Sequence, residues 1–189
     1  LAGAGVFWSA TDGLGAFTAE AARRHAILKD ARPVPALSVV ASDGRAVGLI
    51  DPDGRPVLIE FIYTSCPTIC TALGEEFLRI QTAISQKGLK GRVRLLSISF
   101  DLARDAPAAL AEYGKLHGAD PDIWTVARPR SEGELRDVLD VFGVTVVPDG
   151  EGELVHNAAI HYVNGRGRLV RIFDLGEVQS VISQIENPT

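Results

Sequence analysis

The sequence predicts an α/β fold with a mixed central β-sheet and helices on both faces. Two observations carry this. Short apolar, β-branched runs alternate with longer stretches whose apolar residues recur at helical spacing, in the order β-α-β-α-β-α-β-β-α. The first main strand, Val57-Leu58-Ile59-Glu60-Phe61-Ile62-Tyr63, runs directly into a turn that carries both cysteines of the chain, Cys66 and Cys70.

Taken in order, residues 17–28 read as a short Ala-rich helix with Phe17, Ala21 and Leu28 near one stripe. Arg32-Pro33-Val34-Pro35 is a stiff connector. Ala36 to Val40 and Ala46 to Ile50 flank Asp43-Gly44, a hairpin signal. The Val57 strand is short, apolar and preceded by Pro52, Gly54 and Pro56, which favours a buried strand over a helix. From Thr68 to about Gln86 a helix is expected, with Leu73, Phe77, Ile80 and Ile84 as its core face and Pro67 at its first position.

Val93 to Phe100 is a second strong strand, ending at Asp101. Pro107 to Leu116 reads as a helix with Asp105 as its N-cap. Ile123 to Val126 is a short strand. Ser131-Glu132-Gly133-Glu134 is a capping-box pattern that opens a helix ending at Gly143. Ile160 to Val163, a turn at Asn164 to Gly167, and Arg168 to Phe173 form a second hairpin, and Glu177 to Glu186 closes the chain as a helix. This succession is the thioredoxin-like layout with an extra N-terminal β-hairpin.

Of the 189 residues, 46% are hydrophobic and 23% charged, which suits one folded domain. The formal net charge of −5 and the lack of a dense basic patch argue against nucleic acid as a partner. No apolar run approaches the ~20 residues of a membrane span. Methionine is absent, and Leu1 to Trp8 are small and apolar with an aromatic end. We therefore expect residues 1–34 to be an N-terminal arm following a removed membrane anchor or signal segment, with a tether upstream of residue 1. Residues 35–189 are expected to form the thioredoxin-like domain.

A strand that stops at Cys66 and resumes as a helix sets that thiol at a helix N-terminus, where unpaired N–H groups and the dipole favour thiolate. Cys70, four residues on, can share its helix face. Three readings follow: a thiol–disulfide redox couple, a metal site, or a static pair. A redox pair usually has two intervening residues, whereas here there are three. Two cysteines cannot complete a structural zinc tetrahedron. Two thiolates and one imidazole suit copper, and the third ligand should be a histidine because no methionine exists.

His25 and His117 lie in polar surroundings and read as surface residues. His156 precedes the C-terminal hairpin, on the loop that should face the Cys turn, with Asn157-Ala158-Ala159 where related oxidoreductases carry a cis-proline. It is the favoured third ligand, with His161 in reserve. Asp101 reads as a turn cap that can also orient the loop around the thiols.

Phe61 to Cys70 (FIYTSCPTIC), Ser97 to Asp101 with Arg104-Asp105, and Val155-His156 followed by Ile160 to Val163 and Gly165-Arg166-Gly167 together resemble the Sco (SCO1/SenC) copper proteins. The resemblance runs from about Pro35 to the C-terminus. It implies copper, as Cu(I) or Cu(II) or both, held by Cys66, Cys70 and His156. It also implies a role in building the dinuclear copper site of cytochrome c oxidase, with that copper-site subunit or another copper chaperone as partner. The expected location is the periplasmic side of the bacterial inner membrane, or less favourably the mitochondrial intermembrane space. The competing reading is a thiol–disulfide oxidoreductase acting through Cys66 and Cys70 on a partner's copper-site cysteines, or a thiol peroxidase or redox sensor.

Overall fold

The structure, a computed structural model, describes residues 19–66, 69–148, 150 and 153–188. Among these are helices α1 (Ala19–Lys29), α2 (Ile69–Gln86), α3 (Pro107–Leu116), α4 (Glu132–Phe142) and α5 (Val178–Glu186). The strands are β1 (Arg32–Pro33), β2 (Ser38–Ala41), β3 (Ala46–Gly48), β4 (Val57–Ile62), β5 (Arg94–Ser99), β6 (Trp124–Arg128), β7 (Val146–Pro148), β8 (Leu154–His156), β9 (Ile160–Val163) and β10 (Arg168–Phe173).

Eight strands form one sheet in the order β1-β10-β9-β4-β5-β6-β2-β3. β4, β5 and β6 are parallel, linked by α2 and α3, and every other pairing is antiparallel. The mixed sheet and the extra hairpin β2–β3 are as the sequence predicts. β4 is central and all six of its residues are buried, which explains its unbroken apolar run.

Alternation along β4 assigns the faces. Phe61 packs on Phe142 of α4 and on His161, with ring centroids 5.5 Å away in each case. α1 lies on this same side, because Arg23 donates to the Phe142 carbonyl. Glu60 points the other way, where it accepts from Ser97, which in turn accepts from Trp124 Nε1 at 2.7 Å. Trp124 meets Phe77 of α2 edge-on at 5.5 Å, so α2 covers that face, with α5 packed against it. All four expected core residues of α2, namely Leu73, Phe77, Ile80 and Ile84, are fully buried.

The Ser131 hydroxyl accepts from Glu134 N–H at 3.2 Å, as the capping pattern requires, and Gly143 ends α4 with φ of 63°. Other expectations need correction. In α1 the core residue is Ile27, and Leu28 is 60% exposed. The helix packs on β10 in a phase that the Ala-rich sequence leaves open. Phe17 and Pro67 lie outside the described residues. Asp105 does not cap α3, because Ala106 occupies that position without a side-chain bond. The strand expected at Ile123 to Val126 runs Trp124–Arg128.

One unexpected element matters for the site. β7 and β8 pair as a separate antiparallel hairpin, with Val146 opposite His156 and Pro148 opposite Leu154. His156 therefore ends a strand.

Candidate metal centre

The parallel strands β4 and β5 both end at one edge of the sheet, and the segments that leave them make the site. Tyr63, Thr64 and Cys66 follow β4, Cys70 lies in the first turn of α2, and Asp101 to Asp105 follow β5. Both cysteines are reduced thiols and buried. The Cys70 N–H donates to the Cys66 sulfur at 3.4 Å, so the first turn of α2 offers an unpaired backbone donor to the first thiol. The Tyr63 N–H points at the Cys70 sulfur, 3.5 Å away. From α3, the Tyr113 hydroxyl donates to the Cys70 carbonyl at 3.0 Å. Burial pushes the Cys70 thiol well up from its ordinary pKa, and the neighbouring Cys66 adds to this.

The loop carrying Cys66 is tied from β5. The buried Asp105 carboxylate accepts from Thr64 N–H at 2.9 Å and from Thr64 O–H at 2.6 Å, and it also accepts from Ser99 O–H. Sequence reasoning took Asp105 for a helix cap, and a partner 41 residues away leaves no local signal. Asp101 acts as expected at its turn, accepting from Arg104 N–H at 3.1 Å and pairing with the Arg104 guanidinium. That guanidinium also lies over the Tyr63 ring, 5.5 Å from its centroid.

His156 stands at this edge. Its ring meets Phe100 at 4.9 Å, and Phe100 meets Tyr63 at 5.5 Å. The residue is 9% exposed, and neither Nδ1 nor Nε2 makes a well-formed hydrogen bond. Burial lowers its pKa, against a smaller pull from the Phe61 carbonyl. A neutral imidazole with both nitrogens uncommitted is a fitting metal ligand. The structure brings the two sulfurs together, with His156 nearby through Tyr63 and Phe100. Among the described residues, no three His, Cys, Asp or Glu side chains are grouped closely enough to hold one metal ion.

The other histidines differ. His161 is fully buried in β9, with Nδ1 3.3 Å from the Ile59 carbonyl, and burial drives its pKa down to about 3. It points into the sheet packing. His117, expected on the surface, is half-buried, with its ring 4.3 Å from that of Tyr113. A Cβ on Gly74 would meet that ring at 2.5 Å, so α2 needs glycine there.

Residues 28–187 match the SCO1/SenC family model. The chain belongs to the SCO1/SenC family. Over 134 residues it is 26% identical to the SCO1 protein homolog of Bacillus subtilis (strain 168), covering 70% of this chain and 68% of that protein. A SCO1/SenC family lipoprotein from Bacillus anthracis superposes with a TM-score of 0.75 at 19% identity, covering 84% of this chain and 97% of that one. Copper-bound ScoI from Bradyrhizobium japonicum superposes with a TM-score of 0.67 at 24% identity, covering 83% and 99%. The fold of this SCO1/SenC chain is thioredoxin-like.

Proposed function

We propose that this protein is a copper metallochaperone whose cargo is held by Cys66, Cys70 and His156. The observation that carries the reading is the pairing of two adjacent reduced thiols with a histidine at the same sheet edge whose buried ring nitrogens make no well-formed hydrogen bond. Soft thiolates select Cu(I), and imidazole serves both copper oxidation states. A site of so few ligands can pass copper on by exchange with a partner's thiolates or imidazoles. Cys70 must lose its proton to bind, so loading releases protons. The receiving site, on this reading, is the dinuclear copper site of cytochrome c oxidase, because the Sco family is one of cytochrome c oxidase assembly proteins. The B. anthracis relative is a lipoprotein, which supports a membrane-tethered domain on the periplasmic side. Among the described residues no helix is long and apolar enough to cross a membrane.

The dithiol reading draws on the same pair. Cys66 and Cys70 can form a disulfide, giving two electrons and two protons to an oxidant, which removes both soft ligands at once. His156 separates the two readings, since dithiol exchange does not need it.

The test is copper content after loading reduced protein with Cu(I) and stripping excess with a chelator. Cys66→Ala and Cys70→Ala should each abolish stoichiometric binding. Copper retained at wild-type level in either variant rejects the chaperone reading.

A further inference from the structure

The hairpin that carries His156 has little hold of its own. β7 and β8 are three residues each, and the cross-strand pair Val147 and Val155 is more than half exposed. Two short strands alone are marginal in water, so the hairpin must be held by the body of the protein. At its base Asn157 does this, accepting from Thr145 N–H at 2.8 Å and donating to the Gly143 carbonyl at 3.0 Å and to Glu20 at 3.3 Å.

At the other side the Tyr63 hydroxyl adds an attachment to the contact of His156 with Phe100 and the packing of Leu154 on the core. Tyr63, three residues before Cys66, is 2% exposed. Its O–H donates to Glu153 Oε2 at 2.6 Å, and its oxygen accepts from Leu154 N–H at 3.4 Å. The Tyr63 ring is fixed between Phe100 and the Arg104 guanidinium, each 5.5 Å away, and Phe100 is also the ring on which His156 rests. One phenol thus joins the chain just before the first thiol to the chain just before the imidazole.

We propose that Tyr63 is a positioning residue: its hydroxyl latches Glu153 and Leu154 to the Cys loop and so holds His156 within reach of the two sulfurs. This rests on the reading of Cys66, Cys70 and His156 as copper ligands. A phenylalanine at 63 keeps the ring packing and loses the latch. A hydrogen bond to a carboxylate is among the stronger kinds, and its loss corresponds to about a tenfold change in the docked population.

The test compares wild type, Tyr63→Phe and Glu153→Gln, the last retaining an uncharged acceptor. In reduced, metal-free protein, amide exchange at Leu154 should be about tenfold faster in Tyr63→Phe and intermediate in Glu153→Gln, with the amides of β4 and β5 unchanged. In Cu(I)-loaded protein, release to a competing chelator should accelerate by a similar factor. Unchanged Leu154 exchange overturns the latch. Faster exchange with unchanged copper release also overturns it, because the hairpin would then be loosened without consequence for His156. Failure of the ligand reading shows differently: wild type and His156→Ala would release copper at one rate, which removes the ground for a latch altogether.

Discussion

His156 and His161 are five residues apart in the chain and meet opposite fates. His161 sits mid-sheet in β9, opposite Ile59 and Ile172, edge-on to Phe61 and Phe142 at 5.5 and 5.3 Å. Its Nδ1 must carry the proton to donate to the Ile59 carbonyl, while Nε2 is buried without a partner. His156 is also buried and also held neutral, yet it has one aromatic neighbour and two idle nitrogens. Burial alone therefore does not tell the proposed ligand from the core residue. What separates them is the sheet-end position of His156 and its two unpartnered nitrogens, against one on His161.

Exchanging the two fates is the strongest test of that contrast. His161→Ala should cost about 3 kcal/mol of stability, as a large-to-small change in a packed core, and leave copper stoichiometry intact in the folded fraction. His156→Ala should weaken copper binding by about one hundredfold, the loss of one of three ligands, while stability moves by less than about 1 kcal/mol. Denaturant titration and chelator competition on both variants give the four numbers. Two variants alike in both readouts would break the contrast.

The buried centre also predicts a pH signature, of smaller size. Burial holds the His161 pKa at about 3 against 6.5, so the unfolded state binds the extra proton, and stability falls as pH drops from 6.5 toward 3. Burial raises Glu60 from 4.5 to about 8, so the folded state keeps the extra proton, and stability falls as pH rises from 4.5 toward 8. Between pH 4.5 and 6.5 these two slopes cancel, leaving the shallower acid-side fall from His156 and His117, whose burial also lowers their pKa. From 6.5 to 8 Glu60 acts, costing about 2 kcal/mol at 1.36 kcal/mol per unit. Below 4.5 His161 acts together with Glu20, whose arginine partners Arg23 and Arg24 hold it, against desolvation, near 2. Unfolding free energies measured from pH 3 to 9 should show a maximum near pH 6.5 with a declining limb on each side. Glu60→Gln should flatten the alkaline limb alone, and a limb that survives it would remove Glu60 as the cause.

The centre was more legible in the sequence than the edge. The buried residues of β4 and the α2 stripe announce themselves because continuous burial demands an apolar run and a helical face demands a 3.6-residue period. Cys66, Cys70 and His156 stand out by chemistry alone. The hairpin under His156 left no such trace: its strands are three residues long and the Val147–Val155 pair faces outward, so apolar alternation is missing. Asp105 misled for a related reason. A short acidic residue just before a proline-led helix has the local signature of a cap, and nothing nearby reveals Thr64 as its partner.

That misread residue supports the gentlest expected effect. Three donors converge on the Asp105 carboxylate: the Thr64 N–H, the Thr64 hydroxyl and the Ser99 hydroxyl. An asparagine there can keep the Thr64 N–H and the Ser99 hydroxyl on its oxygen, while its amide donates to Thr64 Oγ1, which then turns from donor to acceptor. The network survives with its charge removed, so Asp105→Asn should cost about 1 kcal/mol and speed copper release less than tenfold. Asp105→Ala strands all three donors and should cost about 3 kcal/mol. Equal losses from the two variants, in unfolding free energy and in chelator release, would mean that the charge of Asp105, rather than its hydrogen bonds, fixes the Cys loop.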